Sequence, residues 1–140
     1  MGKEIINVRT EIRLPVSEVW KLWTTPQDII RWNQASEDWH TPGAVNDLRE
    51  GGQFIYRMEA RDGSAGFDFV GTYEKVIPDK KIVYLIGDGR KVEVSFKETD
   101  NKTEISESFE AESINPVEMQ KNGWQSILEN FRKYAESGYR

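Results

Sequence analysis

The chain has 140 residues, no cysteine, and 37% hydrophobic against 31% charged residues, enough apolar material for one domain over 1–140 without a disulfide or metal staple. The missing thiols remove disulfide scaffolds, thiolate zinc sites and cysteine nucleophiles, and leave a cytoplasmic location as the expectation. With 19 basic and 24 acidic residues the net charge is −5, which argues against a nucleic-acid partner because neutralising phosphates needs a basic surface.

The opening Met1-Gly2-Lys3-Glu4 has no apolar core for a signal peptide, Ile6 is not the Ser or Thr of a myristoylation signal, and no stretch is apolar enough for membrane insertion. Residues 6 to 14 alternate, with Ile6, Val8, Thr10, Ile12 and Leu14 on one side and Asn7, Arg9, Glu11 and Arg13 on the other, the period of a half-buried strand. Pro15 ends it. Ser17 and Glu18 open a short helix whose Val16, Val19, Trp20 and Trp23 recur at three and four residues. A second short helix follows, with Thr25 as N-cap, Pro26 at the first helical position, and Ile29, Ile30 and Trp32 as its apolar side.

From Ser36 to Gly52 the pattern is mixed and reads as two short, irregular edge segments, with a Pro42-Gly43 turn and a Gly51-Gly52 hinge. A hairpin comes next: Phe54, Tyr56, Met58 and Ala60 alternate with polar residues, Asp62-Gly63 turns, and Phe67, Phe69, Gly71 and Tyr73 share the return. Turns at Ile77-Pro78-Asp79, Gly87-Asp88-Gly89 and Asp100-Asn101 then separate an apolar run from Ile82 to Ile86, a strand with Val92, Val94 and Phe96, and a strand from Thr103 to Glu112. These five strands form an antiparallel meander. The chain closes with its longest helix, expected to be capped by Asn115 with Pro116 first, and carrying Val117, Gln120, Trp124, Ile127, Leu128, Phe131 and Ala135 on one stripe. Gly123 interrupts that helix at a cost of about 1 kcal/mol relative to alanine, so a close neighbour beside Trp124 is expected to compensate.

The amphipathic helix must bury its stripe, and the concave face of the sheet is the large apolar surface available. The expected class is α+β: a curved antiparallel sheet wrapped around a long C-terminal helix, with two short helices after the first strand.

Four sets of residues carry a resemblance over nearly the whole chain. They are Pro15, Val19, Trp20, Trp23 and Thr24 with Trp32; Asp47-Leu48-Arg49 followed by Gly51, Gly52 and Phe54; Gly71, Tyr73 and Pro78; and Gln120, Gly123, Trp124, Ile127 and Leu128. On these the chain resembles the SRPBCC, or START-like, helix-grip superfamily of the lipid-transfer and birch-pollen-allergen proteins. Within it, the chain is similar to the family named for the C-terminal domain of the activator of Hsp90 ATPase. The resemblance implies a helix-grip fold with a cavity between sheet and helix that binds a small lipophilic or aromatic molecule, without a cofactor. It also implies two alternatives: a protein-interaction module with a chaperone as partner, or a small hydrolase- or cyclase-like enzyme using the same cavity.

The candidate pocket residues are Trp32, Trp39 and Trp124, placed where short helices, sheet edge and long helix meet, together with Tyr56, Met58, Phe69, Tyr73, Val94 and Phe96 from the strands. His40 is the only histidine, so no metal site can be built on histidines; it is placed at the pocket rim beside Trp39 and is a weak catalytic candidate. No nucleophile elbow or phosphate loop accompanies it.

Glu107 shares the parity of Ile105 and Phe109, so if those two face the helix, its carboxyl faces the pocket too. Burial would raise its pKa. Two readings stand level: a carboxyl pinned by an Arg, a Tyr or Gln120, and a group that contacts a ligand. A catalytic acid or base comes third. Glu104, Glu110 and Glu112 take the opposite parity, as a solvated acidic face.

Overall fold

The computed structural model describes residues 4–87 and 89–138; Met1 to Lys3, and Asp88 of the expected Gly87-Asp88-Gly89 turn, lie outside the described residues. In chain order the elements are β1 (Ile5–Ile12), α1 (Val16–Thr24), α2 (Pro26–Trp32), β2 (Trp39–Asn46), β3 (Gln53–Ala60), β4 (Gly66–Ile77), β5 (Lys81–Ile86), β6 (Lys91–Thr99), β7 (Lys102–Glu110) and α3 (Val117–Glu136).

The strands form one antiparallel sheet in the order β1-β7-β6-β5-β4-β3-β2. Five hairpin connections account for β2 to β7, because each short turn leaves the next strand beside the last. One hairpin shows the cause locally: Asp100 and Asn101 both adopt positive φ, 54° and 63°, which a two-residue turn requires and which Asp and Asn tolerate. β1 departs from this rule. It pairs with β7 at one edge while β2 lies at the other, so α1 and α2 carry the chain from one edge of the sheet to the other.

The alternation read from the sequence is the alternation of burial. In β1 every second residue from Ile6 to Ile12 is buried, and β7 buries Thr103, Ile105, Glu107 and Phe109 in the same way. α3 buries Gln120, Leu128, Phe131 and Ala135. Its Phe131 meets the rings of Trp23 and Trp32 edge-on, each at 4.9 Å, and those two indoles stack on each other at 4.7 Å. Trp23 also meets Phe96 of β6 edge-on at 5.9 Å, so sheet, short helices and long helix are joined through one aromatic cluster. Among the described residues, no helix is long and apolar enough to cross a membrane.

Five local expectations change. Residues 39–46 form one eight-residue edge strand rather than two irregular segments, and the Pro42-Gly43 turn is instead a bulge. There, three steps of β2 from His40 to Gly43 oppose two of β3 from Glu59 to Arg57. A bulge on an edge accommodates proline, which has no N–H for the ladder.

Thr25 is the N-cap residue of α2, as expected, but its hydroxyl donates to the Lys21 carbonyl at 2.6 Å, back into α1, and makes no side-chain bond to an α2 N–H. Asn115 lies one residue too early to cap α3, which begins at Val117 after Pro116. Its backbone and side-chain N–H groups both donate to Glu112 Oε1, at 2.7 and 2.8 Å. β7 ends at Glu110, and the Glu112 N–H turns away from the sheet to donate to Gln120 Oε1 at 2.9 Å. Finally, a Cβ added at Gly123 would meet no atom within 4 Å, so close packing does not explain that glycine.

Candidate functional site

Between the concave face of the sheet and α3 lies a cavity of about 200 Å³. Its far wall comes from the sheet: Phe54, Tyr56 and Met58 of β3, Phe67, Phe69 and Tyr73 of β4, Ile82 and Tyr84 of β5, and Glu107 of β7. Trp124 and Ile127 of α3 close the opposite side, and Trp23, Trp32 and Asn33 close the end under the short helices. Larger depressions on the outer surface have polar, open walls. One of about 800 Å³ runs between α3 and the 34–37 segment and is lined almost wholly by polar and charged side chains.

The space exists because small and large residues face each other across the strands. Phe54 pairs with Gly71 in the β3–β4 register, and its ring lies over that glycine, where a Cβ would collide with it. The ring then reaches Tyr84 edge-on at 4.9 Å and Tyr56 at 4.5 Å. On the helix side, Trp124 stacks on Phe109 at 3.9 Å and meets Phe69 edge-on at 6.5 Å. Fixed between these rings, the indole spans the gap to the sheet without filling it.

Most polar groups of the wall are satisfied by the protein. Trp32 Nε1 donates to the Leu22 carbonyl at 3.1 Å, and the Tyr73 hydroxyl donates to Asn46 Oδ1 at 2.5 Å. Asn46 is itself held by donating to the Thr24 carbonyl at 2.7 Å. Tyr56 is engaged with the Tyr73 hydroxyl. Asn33 donates to Met58 Sδ at 3.1 Å, while its carbonyl accepts from the Thr41 hydroxyl at 2.5 Å.

Two groups differ. Glu107 is 5% exposed and Tyr84 8%, yet among the described residues neither side chain makes a hydrogen bond. Pinning by Gln120 does not occur, because Gln120 Nε2 donates to the carbonyls of Asn115 and Glu112, at 2.8 and 3.2 Å. No Arg or Tyr takes its place. Burial alone pushes the Glu107 carboxyl up to about 8, so it is mostly protonated at neutral pH. Burial also pushes the Tyr56 and Tyr84 hydroxyls well above the ordinary phenol range, with the Glu107 charge adding to the shift at Tyr84.

Of the residues named from sequence, Trp32, Tyr56, Met58, Phe69, Tyr73, Glu107 and Trp124 line this cavity. Val94 is fully buried beside Glu107 in the β6–β7 register, and Phe96 packs on Trp20 and Trp23, so both lie in the solid core. Phe109 supports Trp124 from beneath, and Gln120 ties the β7–α3 connection. Trp39 meets Phe67 edge-on at 5.9 Å at the outer end of the hairpin. His40 faces an outer depression with Arg31 and Arg61, 3.9 Å from Glu59, away from Glu107. Sequence reasoning missed Trp23, Asn33, Phe54, Phe67, Ile82, Tyr84 and Ile127. Parity would have found Phe54 beside Tyr56, Phe67 beside Phe69, and Ile127 one turn from Trp124; no periodic signal marks Asn33.

The model of the activator of Hsp90 ATPase homolog 1-like protein family matches residues 13–136. The chain belongs to this family. Two solution structures are similar at high identity. An AHSA1-like protein from Aeromonas hydrophila is 42% identical with a TM-score of 0.90, over 96% of this chain and 93% of that one. A protein from Cytophaga hutchinsonii is 47% identical with a TM-score of 0.83, over 94% and 92%. A crystal structure from Nitrosomonas europaea, at 18% identity and a TM-score of 0.80 over 95% and 94%, shares the fold. Among functionally curated proteins, none matches this sequence.

The residues that carry the AHSA1-like resemblance have visible work in this fold. Gly51, at φ 84°, donates to the Tyr73 carbonyl at 2.8 Å, and the Gly52 carbonyl accepts from the Tyr73 N–H at 2.9 Å. A Cβ at Gly52 would strike the Asp47 carbonyl. The Asp47 to Gly52 loop thus needs its glycines to clasp the backbone of a cavity residue.

Proposed function

We propose that this AHSA1-like protein binds a small lipophilic or aromatic molecule, of one or two rings, in the cavity between the sheet and α3. The observation that carries this reading is an aromatic-walled pocket into which one carboxyl is set, with no hydrogen bond to it from the described residues. An apolar space of this kind stays dry or takes an apolar ligand, and a buried polar group without a partner marks the place where a ligand's polar atom is missing. Size narrows the class. A cavity of about 150 Å³ admits benzene, and drug-sized ligands use about 300 Å³ or more; about 200 Å³ suits one or two rings and is too small for a long acyl chain or a sterol.

The Glu107 carboxyl, raised to about 8, also supports a second reading, a general acid acting on the bound molecule at neutral pH. His40 takes no part in it, since it lies on the outer surface.

The test is an amide and indole NMR titration with plain indole. Saturable shifts at Trp124, Tyr56, Phe69 and Glu107, abolished by filling the space with Ile127→Trp, are expected. A folded protein whose spectrum stays unchanged with indole and with single-ring compounds would refute the reading, and would move the proposal to a chaperone partner bound on the outside of the sheet.

A further inference from the structure

The cavity wall has a chemical bias. Its titratable residues are Glu107, Tyr56, Tyr73 and Tyr84, and it contains no Lys, Arg or His. An anionic ligand would bring a charge that no wall cation offsets, at a large cost in a buried site, and would hold the Glu107 carboxyl in its neutral form. A cation meets the opposite situation. Aromatic faces attract ammonium groups electrostatically, and the two polar side chains left without hydrogen bonds, Glu107 and Tyr84, both present oxygen acceptors to the same space.

Building on the ligand-site reading above, we propose that the occupant is a primary amine carried on one or two rings. Its ammonium group pairs with the Glu107 carboxylate and donates to the Tyr84 hydroxyl oxygen, while its rings lie against Trp124, Phe54 and Phe69.

The proton balance follows from the empty site. There, the carboxyl is protonated below about 8; when the ammonium enters, the carboxyl O–H bond breaks, the proton leaves to solvent, and an ammonium–carboxylate pair remains. The groups packed around Glu107 do not interfere. Val8 of β1 and Val94 of β6 flank it in register. α1 and α2 offer Trp23 and Trp32, α3 offers Trp124 and Ile127, and β3, β4 and β5 offer three tyrosines whose hydroxyls burial holds above the ordinary range. Glu107 is therefore the wall group that ionises between about pH 6 and 9.

Four probes of one shape test this: phenethylamine, 2-phenylethanol, phenylacetate and ethylbenzene, each titrated by NMR and calorimetry from pH 6 to 9. Phenethylamine affinity is expected to rise roughly tenfold per pH unit up to about 8 and then level, since alkylamines keep their proton until about 10. It should exceed 2-phenylethanol at least tenfold at pH 8, with phenylacetate weakest. Calorimetry at pH 7 in buffers of different ionisation enthalpy should show close to one proton released. In Glu107→Gln the pH slope and the amine preference should both vanish.

Ethylbenzene binding with no amine preference in the wild type, or a flat amine profile, overturns the amine assignment and leaves the cavity reading standing. A slope that persists in Glu107→Gln overturns the role of that carboxyl. If none of the four probes binds, both readings fall together. The wild-type pH profile decides the matter even if the variant folds poorly.

Discussion

Glu107 places a carboxyl among aromatic rings with no hydrogen bond to the protein, so its titration is coupled to folding as well as to any ligand. Its parity with Ile105 and Phe109 was legible in the sequence, because a strand's side chains alternate without exception between two faces. Its isolation was not, since that depends on Gln120 turning to the Glu112 and Asn115 carbonyls. A pKa raised from 4.5 to about 8 means that the folded chain holds this proton more tightly than the unfolded one. The resulting stability is fully present below about pH 4.5 and is lost as pH rises through about 8. The difference in unfolding free energy, wild type minus Glu107→Gln, is therefore expected to fall between about pH 5 and 8 by up to about 1.4 kcal/mol per unit, and to level above that. Urea unfolding at a series of pH values measures it, and parallel curves for the two proteins would show that the carboxyl is not desolvated.

At the scale of elements, two glycines from the motifs have opposite reasons to be there. Gly71 lies opposite Phe54 in the β3–β4 ladder, and the Phe54 ring occupies the volume a Cβ would need. Gly71→Ala should cost about 1–3 kcal/mol by overpacking, and should shift the Phe54 and Tyr84 ring resonances that border the cavity. Gly123 has open space around its Cα, inside α3. Gly123→Ala is expected to raise stability, by up to about 1 kcal/mol, through helix propensity alone. Chemical denaturation of both variants separates the cases, and a destabilising Gly123→Ala would contradict the open environment. The sequence could not distinguish these glycines, because each breaks an otherwise regular pattern and only the facing element differs. β2 presents the same difficulty: Pro42 looks like a turn until the neighbouring strand is seen to absorb it as a bulge.

For the whole molecule, the contact that joins the layers is the cluster of Trp23, Trp32 and Phe131. Phe131 is fully buried on α3 and touches both indoles, one from each short helix. Phe131→Ala should cost about 3–5 kcal/mol, and the loss should appear in one cooperative transition, because α1, α2 and α3 meet at that ring and Trp23 in turn packs on Phe96 of the sheet. Tryptophan fluorescence and far-UV circular dichroism during urea unfolding are expected to give coincident midpoints. Separate midpoints would mean that α3 detaches before the sheet melts.

Outside β2, the sequence by itself determined the element order, the buried faces of the alternating strands β1, β3, β4, β6 and β7, and the stripe of α3. These follow from periods of two and of three to four residues, and such periods are set by local backbone geometry. It also carried the motif residues that place the chain in the AHSA1-like family. Only the tertiary structure decided that β1 crosses to pair with β7, and that Val94 and Phe96 are core while Tyr84 and Ile127 border a space. It alone also left Glu107 and Tyr84 without a hydrogen bond from the described residues. Those outcomes depend on how much of the concave sheet one helix can cover and on which side chains reach across the remaining gap. That is a matter of volumes and distances between segments far apart in the chain, and no local pattern encodes it.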